Sequence, residues 1–140
     1  MKKIKILVPL DGTERSMHSL NWLKKIFSKD TISITLINVM QTILTNEMMD
    51  PVSIPMEYEF ITKDSTLILN KAITELEGYE VEKFSTLGYA GDEILRKAEK
   101  DSFDIIIMTK CSKNGLHRLI GSVTSKVVRN AKISVIVIPD

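Results

Sequence analysis

Phe103-Asp104-Ile105-Ile106-Ile107-Met108, then a polar loop, then Gly121-Ser122-Val123-Thr124, then Ser134-Val135-Ile136-Val137-Ile138, is the stretch that decides the fold. Ile105, Ile106 and Ile107 do not alternate with polar residues. The run predicts a strand covered on both faces, as strands of parallel sheets are. A helix is expected to open after Gly121 on small residues that carry hydroxyls. Its first N–H groups and positive dipole end then face whatever the loop encloses, a place that suits a phosphate. Ser134 to Ile138 reads as a second buried strand.

Working back to the start, Ile4 to Leu10 reads as a strand closed by Pro9 and Asp11-Gly12. Thr13 is placed to cap a helix, over which Met17, Leu20, Trp22, Leu23, Ile26 and Phe27 recur at helical spacing. Ile32 to Val39 is a second apolar strand, completing a βαβ unit. Met40 to Pro55 breaks the pattern and reads as a long connector, either a surface crossing or a lid. Glu57 to Glu77 returns to helical spacing and Gly78 stops it. Glu80 to Thr86 alternates weakly, as a strand nearer the sheet edge does. Gly88-Tyr89-Ala90-Gly91 reads as a turn, and Asp92 to Lys100 as a short helix. The alternation of strands and helices implies a doubly wound α/β fold, a parallel sheet with helices on both faces. Ligands of such sheets bind outside the carboxyl ends of the strands, where the strand order reverses. Here those ends are Pro9-Leu10-Asp11, Val39-Met40 and Met108-Thr109.

Composition narrows the function. The 140 residues are read as one domain, 1–140, and carry a net charge of +1, so no strong field argues for nucleic acid or an anionic membrane. No apolar run approaches the roughly 20 residues of a membrane helix. The basic start Met1-Lys2-Lys3 leads into an apolar run that stops at Asp11, too short for a signal sequence. The single cysteine fits a reducing, cytoplasmic setting. No phosphate loop of the Gly-x-x-x-x-Gly-Lys-Ser/Thr kind and no Cys/His cluster with metal-ligand spacing is found. His18 and His117 lack an obvious nucleophile partner.

Five pieces in this order resemble the universal stress protein family. They are Ile6 to Thr13; Leu36-Ile37-Asn38-Val39; Gly88-Tyr89-Ala90-Gly91-Asp92-Glu93-Ile94; Phe103 to Met108; and Gly121-Ser122-Val123. The resemblance implies a five-stranded parallel sheet of strand order 3-2-1-4-5 and a homodimer paired through the last strand, Ser134 to Ile138. It also implies ATP or a related adenine nucleotide, with Mg²⁺ when bound, in some members. Asp11 then holds the nucleoside, Val39 offers backbone contacts to adenine, and amides from Thr109 to Ser112 with Gly121, Ser122 and Val123 hold the phosphates. The implied site is Pro9, Leu10, Asp11, Val39, Met108, Thr109, Ser112, Gly121, Ser122, Val123 and Thr124.

The loop departs from the family's pattern of glycine, two residues, glycine, nine residues, Gly-Ser. Thr109 and Ser112 stand where the glycines would be, and eight residues separate Ser112 from Gly121. Lys110, Lys113, His117 and Arg118 bring positive charge to the same loop, where charge compensates for altered amide geometry. Cys111 lies beside Lys110 and Lys113, which lowers a thiol pKa; a bystander thiol is the plainer reading. Asp11 has a second reading as the first residue of an Asp11-Gly12-Thr13 turn, and Ser122 as a helix cap. Two functions stay open: a nucleotide-responsive binding module, and a homodimeric interaction module of the same fold without nucleotide. As an enzyme the chain is at most a slow ATPase, with Asp11 the one acid that could serve.

Overall fold

Strands and helices alternate through the residues that the computed structural model describes, 2–41, 53–110 (side chains from 58) and 120–139. They are β1 (Ile4–Pro9), α1 (Glu14–Ile26), β2 (Ile32–Met40), α2 (Ser53–Thr74), β3 (Glu80–Leu87), α3 (Ala90–Lys100), β4 (Ile105–Thr109), α4 (Ser122–Asn130) and β5 (Ser134–Ile138). The sheet order is β3-β2-β1-β4-β5, with parallel pairing throughout. This is the expected doubly wound sheet, and β3 lies at its edge, as its weak alternation predicted.

The side chains of the strands alternate between two cores. Ile6, Val8, Leu10, Ile32, Ile34 and Leu36 pack with Leu20 and Leu23 of α1 and Leu69, Ala72 and Leu76 of α2. Leu7, Ile37, Ile106 and Met108 pack with Ile94 and Ala98 of α3, Val127 of α4 and Phe103. The helices therefore cover both faces, two on each side.

Three element starts differ from the expectation, and α2 ends at Thr74 instead of Glu77. α2 begins at Ser53, so the connector is shorter than Met40–Pro55. Pro55 falls in the helix's first turn, where its missing N–H has no intrahelical acceptor to lose. The rest of the connector, and with it the lid reading, lies outside the described residues. α3 begins at Ala90 because Glu93 N–H already bonds Tyr89 C=O at 3.0 Å, so the turn is only Gly88-Tyr89. β4 begins at Ile105, and Phe103 belongs to the end of α3. There Phe103 N–H reaches back to Ala98 C=O (3.0 Å) and Ser102 N–H to Glu99 C=O (3.3 Å). Together with the buried Phe103–Ala98 contact, this is a Schellman stop.

The stop puts Ser102 at φ +53, a left-handed conformation that costs a residue with a Cβ roughly 1 kcal/mol and glycine nothing. Ser102→Gly is therefore expected to raise stability by about 0.5 kcal/mol, after the extra chain entropy of glycine is subtracted. Urea unfolding with an unchanged m-value checks this.

β1 and β4 are joined only at their lower ends. Lys5 N–H donates to Asp104 Oδ2 (2.8 Å) and Asp104 N–H to Lys5 C=O (2.9 Å). The paired positions are Ile6–Ile105 and Leu7–Ile106. The reason the ladder stops is in the sequence. Leu10 N–H bonds Ile37 C=O of β2 at 2.9 Å. Main-chain groups alternate sides along a strand, so the nitrogen of Pro9 faces β4 and has no proton to give. β1 stays with β2, and a crevice opens between β1 and β4 at the point where the strand order reverses.

Candidate functional site

The crevice is a hollow of about 90 Å³ at the carboxyl ends of β1, β2 and β4. Pro9, Leu10, Asp11, Val39, Met108, Thr109, Val123 and Thr124 line it, and all eight were expected there. Ser16, Ile37, Ala90 and Ile94 complete the lining. Gly121 and Ser122 sit beside it at the start of α4 without lining the hollow. Ser112 lies outside the described residues, as do Cys111, Lys113, His117 and Arg118.

Asp11 closes β1 and opens the turn into α1. Its Oδ1 accepts the Thr13 N–H (3.0 Å) and the Thr13 hydroxyl (2.6 Å). The turn reading of Asp11 is thus correct, and the carboxylate is held at the rim of the hollow by it. Thr13 in turn caps α1, its Oγ1 accepting Ser16 N–H at 3.2 Å. The hydroxyl of Ser16, a buried residue, donates to Thr13 C=O (2.8 Å). Gly12 carries φ +90, and a Cβ there would come within 2.9 Å of the Ile68 side chain. Among the described residues that line the hollow, Asp11 is the only charged one.

Val39 contributes its main chain. Ile37 C=O faces β1, and Met40 C=O faces β3, where it accepts Gly88 N–H at 3.0 Å. By alternation the N–H and C=O of Val39 face the β1 side, beyond the last β1–β2 pair, Pro9–Ile37. A donor and an acceptor thus stand side by side on the wall of the hollow.

The start of α4 corrects three expectations. The N-cap is Gly121, with no side-chain cap bond, so Ser122 is not the cap. Gly121 N–H is committed to Lys110 C=O at 2.9 Å, and Lys110 N–H to Ile138 C=O at 2.8 Å. The Thr124 hydroxyl is committed as a donor to Thr109 C=O at 2.8 Å. Neither the Gly121 amide nor the Thr124 hydroxyl proton is left for a phosphate. The first intrahelical bond is Ser125 N–H to Gly121 C=O, 2.9 Å, so the amides of Ser122, Val123 and Thr124 have no intrahelical acceptor. α1 carries Glu14 in its first turn and α3 carries Asp92 and Glu93, whereas α4 carries no acid there. As in α2, whose first turn is also without an acid, the positive end is not offset by a first-turn carboxylate.

Sequence reasoning missed Ser16, Ile37, Asn38, Ala90 and Ile94. Asn38 is the traceable one. It is a buried polar residue next to the apolar pair Leu36-Ile37, and its Nδ2 donates to Leu10 C=O at 2.7 Å. Among the described residues no group of three or more His, Cys, Asp or Glu could hold a metal ion. No helix among them is long and apolar enough to cross a membrane.

Known proteins agree with this architecture. A universal stress protein of Methanocaldococcus jannaschii is 29% identical over 147 residues, covering 96% of this chain and 81% of the relative. The structure of UspA from Lactobacillus plantarum superposes with a TM-score of 0.79 at 21% identity, covering 99% of each chain. A universal stress protein family protein from Arabidopsis thaliana, solved with AMP bound, gives a TM-score of 0.72 at 18% identity, covering 96% of this chain and 90% of that one. Other structures of this fold were solved with cAMP (TM-score 0.68) and, from Archaeoglobus fulgidus, with dAMP (TM-score 0.63). The sequence model of the universal stress protein family matches residues 4–139, and the chain belongs to that family.

Proposed function

We propose that the crevice binds an adenine nucleotide and that the protein works as a nucleotide-responsive binding module of the universal stress type in the cytoplasm. The observation that carries this reading is the pairing of two features across one hollow. On one side stand the main chain of Val39 and the carboxylate of Asp11; on the other stand the Ser122, Val123 and Thr124 amides of an α4 start without a first-turn acid or a side-chain cap. A base and ribose are matched by the first set and a phosphate by the second. AMP, cAMP and dAMP in structures of the same fold support the choice of adenine nucleotides. At about 90 Å³ the hollow takes part of such a ligand, and the remainder lies across the rim toward α4. Among the described residues Asp11 is the only acid lining the hollow, so a triphosphate is expected to arrive with its own Mg²⁺ on the phosphates. With Asp11 Oδ1 already accepting two hydrogen bonds from Thr13, we read the site as a binder, with any ATP hydrolysis slow.

A ligand bound only by the folded state must stabilise it. AMP at 100 times its Kd is expected to add about 2.7 kcal/mol, roughly 8 °C in melting temperature for a chain of this size. Flat melting curves with AMP, cAMP and ATP–Mg²⁺ would refute the reading.

A second proposal, pairing of two copies through β5, rests on a contrast between the sheet edges. β3 places Glu80, Glu82 and Lys83 along its edge, and such charges discourage further pairing. β5 is Ser134-Val135-Ile136-Val137-Ile138, with neither charge nor proline, and lies at the opposite edge beyond β4. A second copy across a two-fold axis would cover it.

A further inference from the structure

We infer that Asn38 is the positioning residue of the crevice, the group that sets where Asp11 stands. β1 loses β4 as a partner above Leu7–Ile106, so within the sheet its last residues are held from one side only. That hold is two bonds: Leu10 N–H to Ile37 C=O at 2.9 Å, and Asn38 Nδ2–H to Leu10 C=O at 2.7 Å. The first is the ordinary continuation of the ladder. The second is not a ladder bond, because a side chain of β2 reaches across to the main chain of β1.

Asn38 is 5% exposed and Leu10 is 3% exposed. A carboxamide buried beside Leu36 is costly unless its polar atoms are used, and packing alone would favour an apolar side chain there. Its use is specific. The carbonyl it holds belongs to the residue before Asp11, and from Asp11 the connections run on to Thr13 and Ser16. The fixed Leu10 carbonyl therefore fixes the peptide plane into Asp11, the direction of the Asp11 carboxylate at the rim, and the cap of α1. The left-handed Gly12 gives the turn no rigidity of its own. Without Asn38 the root of the turn would keep one bond to β2 instead of two, beside the long bond from Asp11 N–H to Ser16 Oγ (3.4 Å).

Only the ligand arm of the test rests on the nucleotide reading. Asn38→Leu keeps the branched shape and the number of heavy atoms and removes the donor. In the folded variant the amide hydrogens of Thr13 and Ser16 are expected to exchange at least tenfold faster, while those of Ile34 and Leu36 keep their parent rates. AMP affinity is expected to fall about tenfold. Asn38→Thr, a good strand former whose hydroxyl lies closer to the main chain, provides the same comparison if the leucine variant does not fold. Unchanged exchange at Thr13 and Ser16 in a folded variant overturns the inference, whatever AMP does. Faster exchange in a protein whose parent form binds no AMP upholds the inference and removes the nucleotide reading instead.

Discussion

Ser122→Asp is expected to melt at a higher temperature than the parent protein and to lose AMP binding by at least about 100-fold. The two effects have one cause. Ser122 is an exposed residue in the first helical position of α4, behind a glycine cap without a side chain. A carboxylate there meets the positive end of the helix and is worth about 0.3–1 kcal/mol. The same carboxylate stands where the proposed phosphate would stand. Two like charges roughly 5 Å apart at an effective dielectric constant of about 20 repel by about 3 kcal/mol, a factor of over 100 in Kd. Ser122→Ala, which leaves the amides in place, is expected to keep AMP affinity within about threefold. Opposite signs make the result hard to imitate, since a variant that loses ligand by unfolding also loses stability. If the aspartate variant binds AMP like the parent, the phosphate is not at α4 and the proposed pose is wrong.

The second large effect is expected at the sheet edge. Val137→Lys should convert a dimer into a monomer in sedimentation. Val137 is half-buried in the single chain, in a strand that packs on both cores through Val135 and Ile136. In the monomer a lysine stem can lie along the strand with its ammonium in water. Across a two-fold β5 pair the ammonium would be buried against its own copy. An unpaired buried charge costs about 3–5 kcal/mol, at least 100-fold in the dissociation constant. Val137→Thr, similar in shape and suited to strands, is expected to stay dimeric. A parent protein that sediments as a monomer, or a lysine variant that sediments as a dimer, rules out pairing through β5.

The fold was legible because its signals are local and repeated. Ile105 to Ile107 without alternation, and a second largely apolar strand at Ile32 to Val39, pointed to a sheet covered on both faces, and two helices now lie on each. Ends were less legible. Nothing in Phe103-Asp104 told a strand from a Schellman stop, because both place an aromatic residue in the core. The site was legible as positions and less so as bonds. Eight of the expected residues line the hollow, since strand ends can be found by counting. What each polar atom does depends on contacts far apart in sequence. Gly121 N–H is taken by Lys110 C=O and the Thr124 hydroxyl by Thr109 C=O, which no spacing within Gly121 to Thr124 could reveal. The role of Asn38 is not visible in its own segment, because its partner Leu10 is 28 residues away.

The bonds at the root of the β4–α4 loop have one more consequence. Gly121 to Lys110, Thr124 to Thr109 and Lys110 to Ile138 form a closed stem among the described residues. Lengthening a loop on a closed stem adds only a slowly growing entropic cost, about 0.6 kcal/mol per doubling. The segment is in effect an exchangeable cassette. A loop one residue shorter than the family pattern needs no compensation in the sheet, and loops from relatives should be graftable between Lys110 and Gly121 to retune which ligand is held while the scaffold keeps its melting behaviour.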